Sequence, residues 1–466
     1  MLRLPWVDEH DVPFEVSKGR SGHPRRCSTK PLGRDSFLVR LCLDRRIPSS
    51  KVADRLTPDN DFSDPMRILA FAYACEPARG SEPGAGWAWS QMLARLGETW
   101  VITRREYRAS IEEALLSVPE RQKLKFVYVD LPERFRSWQR DLRGLRIYYL
   151  LWQIAALKEV GRLRRSVHFD LVWHLTWANA WYGSMAALAG RPFVYGPVGG
   201  CVGPVWRLLP QLGWRGAAYE IARAVVHGAA RYVNPLARLS WSRADLILAQ
   251  NVETRDWFPR RHRGKTSLFH NAVIRGELIR AATPSVRTGP PTVIYAGRLE
   301  PFKGVLLCLR ALALLPGWRL VVCGSGNDEQ RMQRLALRLG VMDRVDWLGW
   351  LPQEEVLHQM AEADVFLFAS LHEEAGAVVA EARAVGLPVV CLARGGPPLL
   401  AGPADTCVAD SGGAGAVAAR LAEAVLISAE QRRRSDVDHG SADSLLLDRR
   451  AEALRELLSK ALPWML

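Results

Sequence analysis

From Met66 onward, short apolar runs alternate with longer stretches of helical periodicity, and a Pro/Gly-rich connection, "TPSVRTGPP" (Thr283–Pro291), divides the alternation into two series. This pattern constrains the fold more than any other feature. Consecutive strands separated by a helix pair in parallel, and their crossovers are right-handed, so each series predicts a doubly wound α/β sheet. In the first series the strands are expected at Arg67–Ala74, Thr99–Thr103, Lys125–Val129, Asp170–His174, Pro192–Tyr195 and Asp245–Ala249. In the second they are expected at Thr292–Ala296, Arg319–Cys323, Val345–Leu348, Val365–Ala369 and Pro388–Leu392. A chain of 466 residues exceeds the size at which one core stops growing, so two Rossmann-like domains are expected, at 66–278 and 279–435. Residues 1–65 are rich in Arg, Ser, Pro and Asp, read as a disordered extension, and leave Met66 as an alternative start. Residues 436–466 read as a helical tail that packs back on the first domain.

A net charge of +14 points to anionic partners without choosing among nucleotide diphosphates, acidic lipids and nucleic acid. The eight cysteines are widely spaced, with no C-x-x-C, and read as buried free thiols of a reducing compartment. The opening residues carry acids where a secretory leader has its apolar centre, so no signal peptide is expected. Ile147–Leu157 is too short to span a bilayer, and Leu171–Gly190 is interrupted by His174, Thr176 and Asn179. No helix-turn-helix, zinc or RNA-binding signature favours nucleic acid.

Chemistry-bearing motifs concentrate in the second series. In "YAGRLEPFKGVLLCLRAL", Gly297 and Arg298 fall at a strand end and Lys303-Gly304 at a helix start. Doubly wound sheets bind ligands at the carboxyl ends of their strands, where helix amides face phosphates. Arg298 and Lys303 are placed to meet one diphosphate, although two solvated surface charges would look the same. "RLVVCGSGND" follows a strand with Gly324-x-Gly326. In "SLHEEAGAVVAEARAVGLPVV", Glu373 ends a loop, Gly376 opens a helix, and Glu381 lies about 7 Å along its axis. The two carboxylates fit opposite ends of an elongated ligand, or else simply complement a helix dipole. His372, Glu373 and Glu374 are neighbours on one loop and do not read as a metal site.

Taken in order, Gly297-Arg298, Lys303-Gly304, Gly324-x-Gly326, Glu373-x7-Glu381, Gly386-x-Pro388 and "RGGPP" (Arg394–Pro398) resemble glycosyltransferase family 4, the retaining GT-B transferases. The resemblance covers nearly the whole second domain. It implies a GT-B fold, two Rossmann-like domains facing a central cleft, with acceptor contacts in the first and the nucleotide-sugar donor in the second. It also implies that Arg298 and Lys303 neutralise the departing diphosphate, Glu373 holds donor-sugar hydroxyls, Glu381 holds the ribose, and the loop around Leu348–Trp350 faces the base. Gly84, Gly86, Gly297, Gly324, Gly326, Leu348, Gly376, Ala377 and Val378 complete the donor site by the same carry-over. The family's Gly-Phe-Gly after the first Glu is Glu374-Ala375-Gly376 here, so an aromatic contact near the donor is missing.

In the first series, "CEPARGSEPGAGWAWSQMLARL" opens a helix at Gly84 and Gly86, where the family brings a Gly-rich loop close to the phosphates. Glu82 reads there as a capping acid. His174 at a strand end is a candidate catalytic group near sugar and acceptor, with a satisfied core histidine as the alternative. "YGPVGGCVGP" reads as a cleft loop, and "LFHNAVI" keeps the family's Asn as Asn271, with Ala272 replacing a Gly. From Glu133 to His168, nine Arg or Lys and three acids interleave with Trp138, Tyr148, Tyr149 and Trp152. That helix could meet anionic lipid, or could be a core helix with a solvated Arg face.

The resemblance thus implies a cytoplasmic hexosyltransferase, at the inner membrane face in one reading, acting in cell-surface polysaccharide or glycoconjugate synthesis. The nucleotide-sugar is its donor, a glycan or polyprenyl-linked molecule its acceptor, and no cofactor or metal ion is required. Helix amides and two cations supply the charge that a divalent ion otherwise would. The alternatives are another GT-B enzyme, such as a nucleotide-sugar epimerase or an inverting transferase, or a non-catalytic basic protein.

Overall fold

The computed structural model describes residues 65–77, 79–135, 142–274, 276, 289–402, 405–434 and 443–464. The expected extension, apart from Pro65, and Trp138, Cys27 and Cys42 lie outside these residues. Both predicted sheets are present. The first contains β1 (Arg67–Phe71), β2 (Glu98–Arg104), β3 (Leu124–Val129), β4 (Leu171–His174), β5 (Phe193–Val198), β6 (Leu246–Ala249) and β7 (Thr266–Leu268), all parallel, in the order β3-β2-β1-β4-β5-β6-β7. The second contains β8 (Thr292–Ala296), β9 (Arg319–Cys323), β10 (Val345–Gly349), β11 (Val365–Phe368), β12 (Val389–Leu392) and β13 (Thr406–Val408), also parallel, in the order β10-β9-β8-β11-β12-β13. In each sheet the order reverses beside the first strand, between β1 and β4 and between β8 and β11. A doubly wound sheet opens its crevice at that point.

The central strands are mostly apolar because helices cover both faces. Those of β4, β6, β11 and β12 are buried at every position. The sequence missed β7 and β13, three residues each at a sheet edge, where no apolar run announces a strand.

Four helices matter for the site. Helix α1 (Ser81–Ala94) follows β1 and begins with Pro83 and Glu82 in its first turn, where a missing amide is tolerated and a carboxylate suits the dipole. Helix α2 (Leu142–Leu163) carries the basic and aromatic pattern offered above as a lipid-facing surface. The structure corrects that reading: Tyr148, Tyr149 and Trp152 are fully buried with Ala156 in the core of the first domain, and the Trp152 indole donates to the Val129 carbonyl at 2.9 Å. Spacings of three and four residues turn that face inward, leaving Arg162, Arg164 and Arg165 in solvent. Helix α3 (Gly213–Val233) lies beyond the β5 loop, and α4 (Val305–Ala313) follows β8.

Two more helices complete the frame, α5 (Ala377–Ala384) after β11 and α6 (Ala414–Arg434) after β13. Helix α7 (Leu447–Ala461) then returns to the first domain. It buries Ala451, Leu454 and Leu458 in the cluster that holds Ile68, Trp89 and Leu93, and the bridge Ile274–Leu446 ties its start to the segment after β7. At about 25 cal/mol per Å², two buried leucines contribute several kcal/mol toward holding this helix on the first domain.

The described cysteines are free. Four are buried as expected, whereas Cys201 is half-buried and Cys407 is exposed.

Candidate functional site

The two switch points open onto one cleft of about 260 Å³. Its lining comes from residues in the loops after β1 (between Arg79 and Ala88), β4 (Trp177 to Asn179), β5 (Gly199, Gly200), β6 (Gln250), β7 (Asn271 to Val273), β8 (Arg298, Phe302, Lys303) and β11 (His372 to Ala377, with Glu381). Every contributing loop leaves the carboxyl end of a parallel strand. Arg298, Lys303, Glu373 and Glu381, which the sequence places 83 residues apart at the extremes, share this one space.

Glycine geometry produces the closest pairing. Gly304 has φ of 78°, and a Cβ there would sit 1.8 Å from the Ala369 carbonyl oxygen. Only a residue without Cβ lets the β8 loop press onto the end of β11. The contact is held by Leu371, whose amide donates to the Phe302 carbonyl at 2.7 Å. Lys303 consequently reaches Glu373, with Nζ 2.8 Å from Oε2, both side chains about one-sixth exposed. The second oxygen, Oε1, accepts from the Gly376 amide at 3.2 Å. That amide belongs to the cap of α5, where Gly376 adopts φ of 76°. Gly395 and Gly396 back this loop: a Cβ on Gly395 would lie 2.0 Å from the Glu373 carbonyl oxygen, and the Gly396 amide donates to that carbonyl at 3.1 Å. The "RGGPP" motif is therefore the support on which Glu373 is mounted.

Glu381, also in the cleft lining, accepts from Gln353 Nε2 at 2.5 Å. Gln353 starts the helix after β10 and also lines the cleft. Sequence reading missed it, since a lone Gln at a helix start carries no motif. Arg298 is positioned through its backbone, whose carbonyl accepts from the buried Tyr295 hydroxyl at 3.0 Å.

The remaining glycines divide. Gly84, Gly376 and Ala377 line the cleft. Gly86, Gly297, Gly324 and Gly326 do not; their small size serves chain packing. A Cβ on Gly86 would meet the Ala74 carbonyl at 2.1 Å, one on Gly324 the Gly297 carbonyl at 1.9 Å, and one on Gly326 the Leu299 carbonyl at 2.5 Å. They hold strand ends together and so shape the cleft from behind. Val378 packs against the core of the second domain. Leu348 and Trp350 are exposed, at 40% and 74%, outside the cleft lining.

His174 requires a correction. It is wholly buried, its Nδ1 2.8 Å from Ser184 Oγ and its Nε2 3.1 Å from the Tyr149 hydroxyl. Burial holds its pKa down at about 3, against an opposing pull from the backbone of Trp177 and Thr176. The imidazole is bonded at both nitrogens and lies outside the cleft lining. The strand end was read correctly, but β4 is buried at every position, His174 included. Trp177, three residues later, is the one that lines the cleft, with φ of 56° and its amide bonded to Glu82 Oε1 at 2.7 Å. Glu82 thereby fixes the β4 loop from the first turn of α1.

Glu374 is turned to the first domain. Its Oε1 accepts from the Val202 amide at 3.1 Å and its Oε2 from Asn251 Nδ2 at 2.9 Å. His372 stands between it and Glu220 of α3, 3.3 Å from each. Burial works against the Glu220 charge, but His372 and Arg223 outweigh it and hold the carboxyl down at about 2. Among the described residues no group of three His, Cys, Asp or Glu is arranged to hold a metal ion.

This geometry can be set beside known proteins. Residues 280–436 match the family model described as "Glycosyl transferases group 1". Over this segment the chain is similar to that family. The segment contains the cation pair, both spaced acids and the mounting loop. Within the chain, 107 residues are 38% identical to the lipopolysaccharide core biosynthesis glycosyltransferase LpsE of Rhizobium meliloti (strain 1021), covering 23% of this chain and 31% of LpsE. A further match is 38% identical over 119 residues to the D-inositol 3-phosphate glycosyltransferase of Mycobacteroides abscessus, covering 24% of this chain and 27% of that one. The chain thus spans about a third or less of the length of these curated relatives. Solved structures extend the likeness to both domains. The lipopolysaccharide outer core galactosyltransferase WaaB, in its apo form, aligns at TM-score 0.56 and 16% identity over 85% of this chain and all of WaaB. HepE of Anabaena in complex with UDP aligns at TM-score 0.52 and 16% identity, with the same coverage. At such identity the likeness establishes the fold, which is GT-B.

Proposed function

We propose that the protein is a retaining glycosyltransferase, moving a sugar from a nucleotide-sugar to a glycan or polyprenyl-linked acceptor in the synthesis of cell-surface polysaccharide or glycoconjugate. One observation carries the reading: Arg298, Lys303, Glu373 and Glu381 face one cleft between two doubly wound sheets, within the segment that is similar to the glycosyl transferases group 1 family. HepE is similar in fold and was solved with UDP-glucose, which supports a nucleotide-sugar donor here.

On this reading the diphosphate lies against Lys303, Arg298 and the amide end of α5. As the bond from the anomeric carbon to the phosphate oxygen breaks, its electron pair stays on the diphosphate. The two cations and the helix amides meet that charge in place of a metal ion. Lys303 is paired with Glu373 at 2.8 Å, so the carboxylate positions the ammonium for the phosphate and can turn to sugar hydroxyls when the phosphate takes its place. Glu381, braced by Gln353, receives the ribose. The acceptor hydroxyl bonds to the anomeric carbon on the face that the phosphate leaves, and its proton passes to a departing phosphate oxygen. Catalysis of this kind needs no carboxylate pair of the glycosidase type. On this reading the protein works in the cytoplasm, where nucleotide-sugars are made.

A panel of UDP-, GDP- and ADP-sugars, scored by thermal shift and nucleotide release, tests the proposal. One donor that stabilises the fold and is turned over with an α- or β-configuration retained supports it. Inversion at the anomeric carbon, or indifference to every donor, overturns it.

A further inference from the structure

Helix α3 is amphipathic in the reverse sense. Its inner face buries Glu220, Arg223 and His227, while its outer face exposes Trp214, Ile221, Val225 and Tyr232, at 77%, 41%, 67% and 70%. These positions, together with exposed Ala218, Gly228 and Ala229, recur every three or four residues along all 21 residues of the helix. The result is one apolar stripe about 30 Å long. Val226 and Val233 widen it, and Trp206 in the preceding turn extends it. A surface helix of a soluble domain shows the opposite arrangement, and isolated exposed apolar residues do not line up in this way.

The charges beside the stripe have one sign. Arg207, Arg215 and Arg238 are exposed, Arg231 is half-exposed, and Glu220 is the sole acid between Gly199 and Ala244. Glu220 is buried, with its carboxylate committed to Arg223 and His372. The Arg215 guanidinium lies 5.2 Å from the Trp214 ring centre, keeping the two together at one end of the helix. The other end offers Tyr232 with Arg231 and Arg238.

We infer that this face of α3 is a docking surface for an anionic lipid bilayer, lying in the plane of the interface. Apolar residues enter the acyl boundary, Trp and Tyr sit at the headgroup level, and the arginines meet lipid phosphates. A second copy of the chain fits less well. An antiparallel or parallel pair of these helices would set arginine against arginine with no carboxylate to answer it, and Ala218, Gly228 and Ala229 offer no knobs for a seam. The inference is independent of the sugar-transfer reading, because lipid binding is read without donor or acceptor. Its position does bear on that reading: the stripe lies on the outer side of the helix whose inner side reaches His372 at the cleft.

The test is co-sedimentation of the full chain with phosphatidylcholine vesicles, with and without phosphatidylglycerol. The expected result is binding that requires phosphatidylglycerol and weakens as salt is raised. The double substitution Val225→Glu and Tyr232→Glu should weaken partitioning at least about tenfold with an unchanged melting temperature. Leu337→Glu, an isolated leucine 63% exposed in the second domain, should bind as the parent does. Binding equal in parent and double variant overturns the inference, as does equal binding to neutral vesicles. So does a parent that ignores vesicles yet dimerises in sedimentation equilibrium through contacts the double variant loses.

Discussion

Lys303 Nζ and Glu373 Oε2 stand 2.8 Å apart although 70 residues of chain separate them. The pair forms because β8 and β11 are neighbours in the sheet while the loops that leave them press together at a glycine. A cation and a carboxylate in a shallow cleft would repay little as a surface ion pair. Their value lies in what each does when a diphosphate separates them.

Lys303→Ala and Glu373→Gln should each lower kcat by about a hundredfold or more, the usual loss when one pre-aimed electrostatic partner is removed. Steady-state assays with the donor found in the panel measure this. Glu381→Ala should instead raise the donor KM about tenfold with a smaller change in kcat, as expected for a group that binds the far end of the nucleotide.

Gly304→Ala should cost stability and activity together. A methyl 1.8 Å from the Ala369 oxygen at positive φ forces the β8 loop away from β11, at a cost of roughly 2 kcal/mol or more, and carries Lys303 off Glu373. Urea unfolding and donor binding by calorimetry should show both losses, whereas a change in stability alone would separate the glycine from the site.

His174→Ala should destabilise the fold by about 2 to 3 kcal/mol, because Ser184 and Tyr149 lose their buried partner. At a temperature where the variant stays folded, turnover should remain within severalfold of the parent. A thousandfold loss in folded protein would restore a catalytic role for this residue.

The Glu220 carboxyl, lowered from 4.5 to about 2, gives stability that is complete above its unfolded value and declines as the pH falls through 4 toward 2. The full effect is on the order of 3 kcal/mol. Glu220→Gln should therefore be less stable than the parent at pH 6, with the gap closing near pH 2. Thermal unfolding across that range checks the sign.

Much of this was legible in the chain. Eleven strands were placed by their apolar runs, because a strand buried on both faces has few residue types open to it. Arg298, Lys303, Glu373 and Glu381 were found by their position at strand ends and helix starts, which a doubly wound topology sends to one edge. Gln353 and Trp177 were not found, since nothing local marks a residue whose importance comes from a neighbour 28 positions or a whole loop away. The α2 aromatics were misread for a related reason: interleaved Arg and Trp look alike whether the aromatic face meets lipid or core.

The sequence by itself determined the class of fold, the two series of parallel strands and the segment that carries the charged motifs, because periodicity and strand-end chemistry are local properties. Only the tertiary structure decided which strand-end side chains enter the cleft. His174 turns into the core and Trp177 toward the cleft within three residues, a choice made by the Tyr149 and Ser184 partners of the first and by the left-handed backbone of the second, held by Glu82. It also decided that α3 turns Glu220 and Arg223 inward and Trp214 outward, since burial of Glu220 depends on Arg223 and on a histidine 152 residues away.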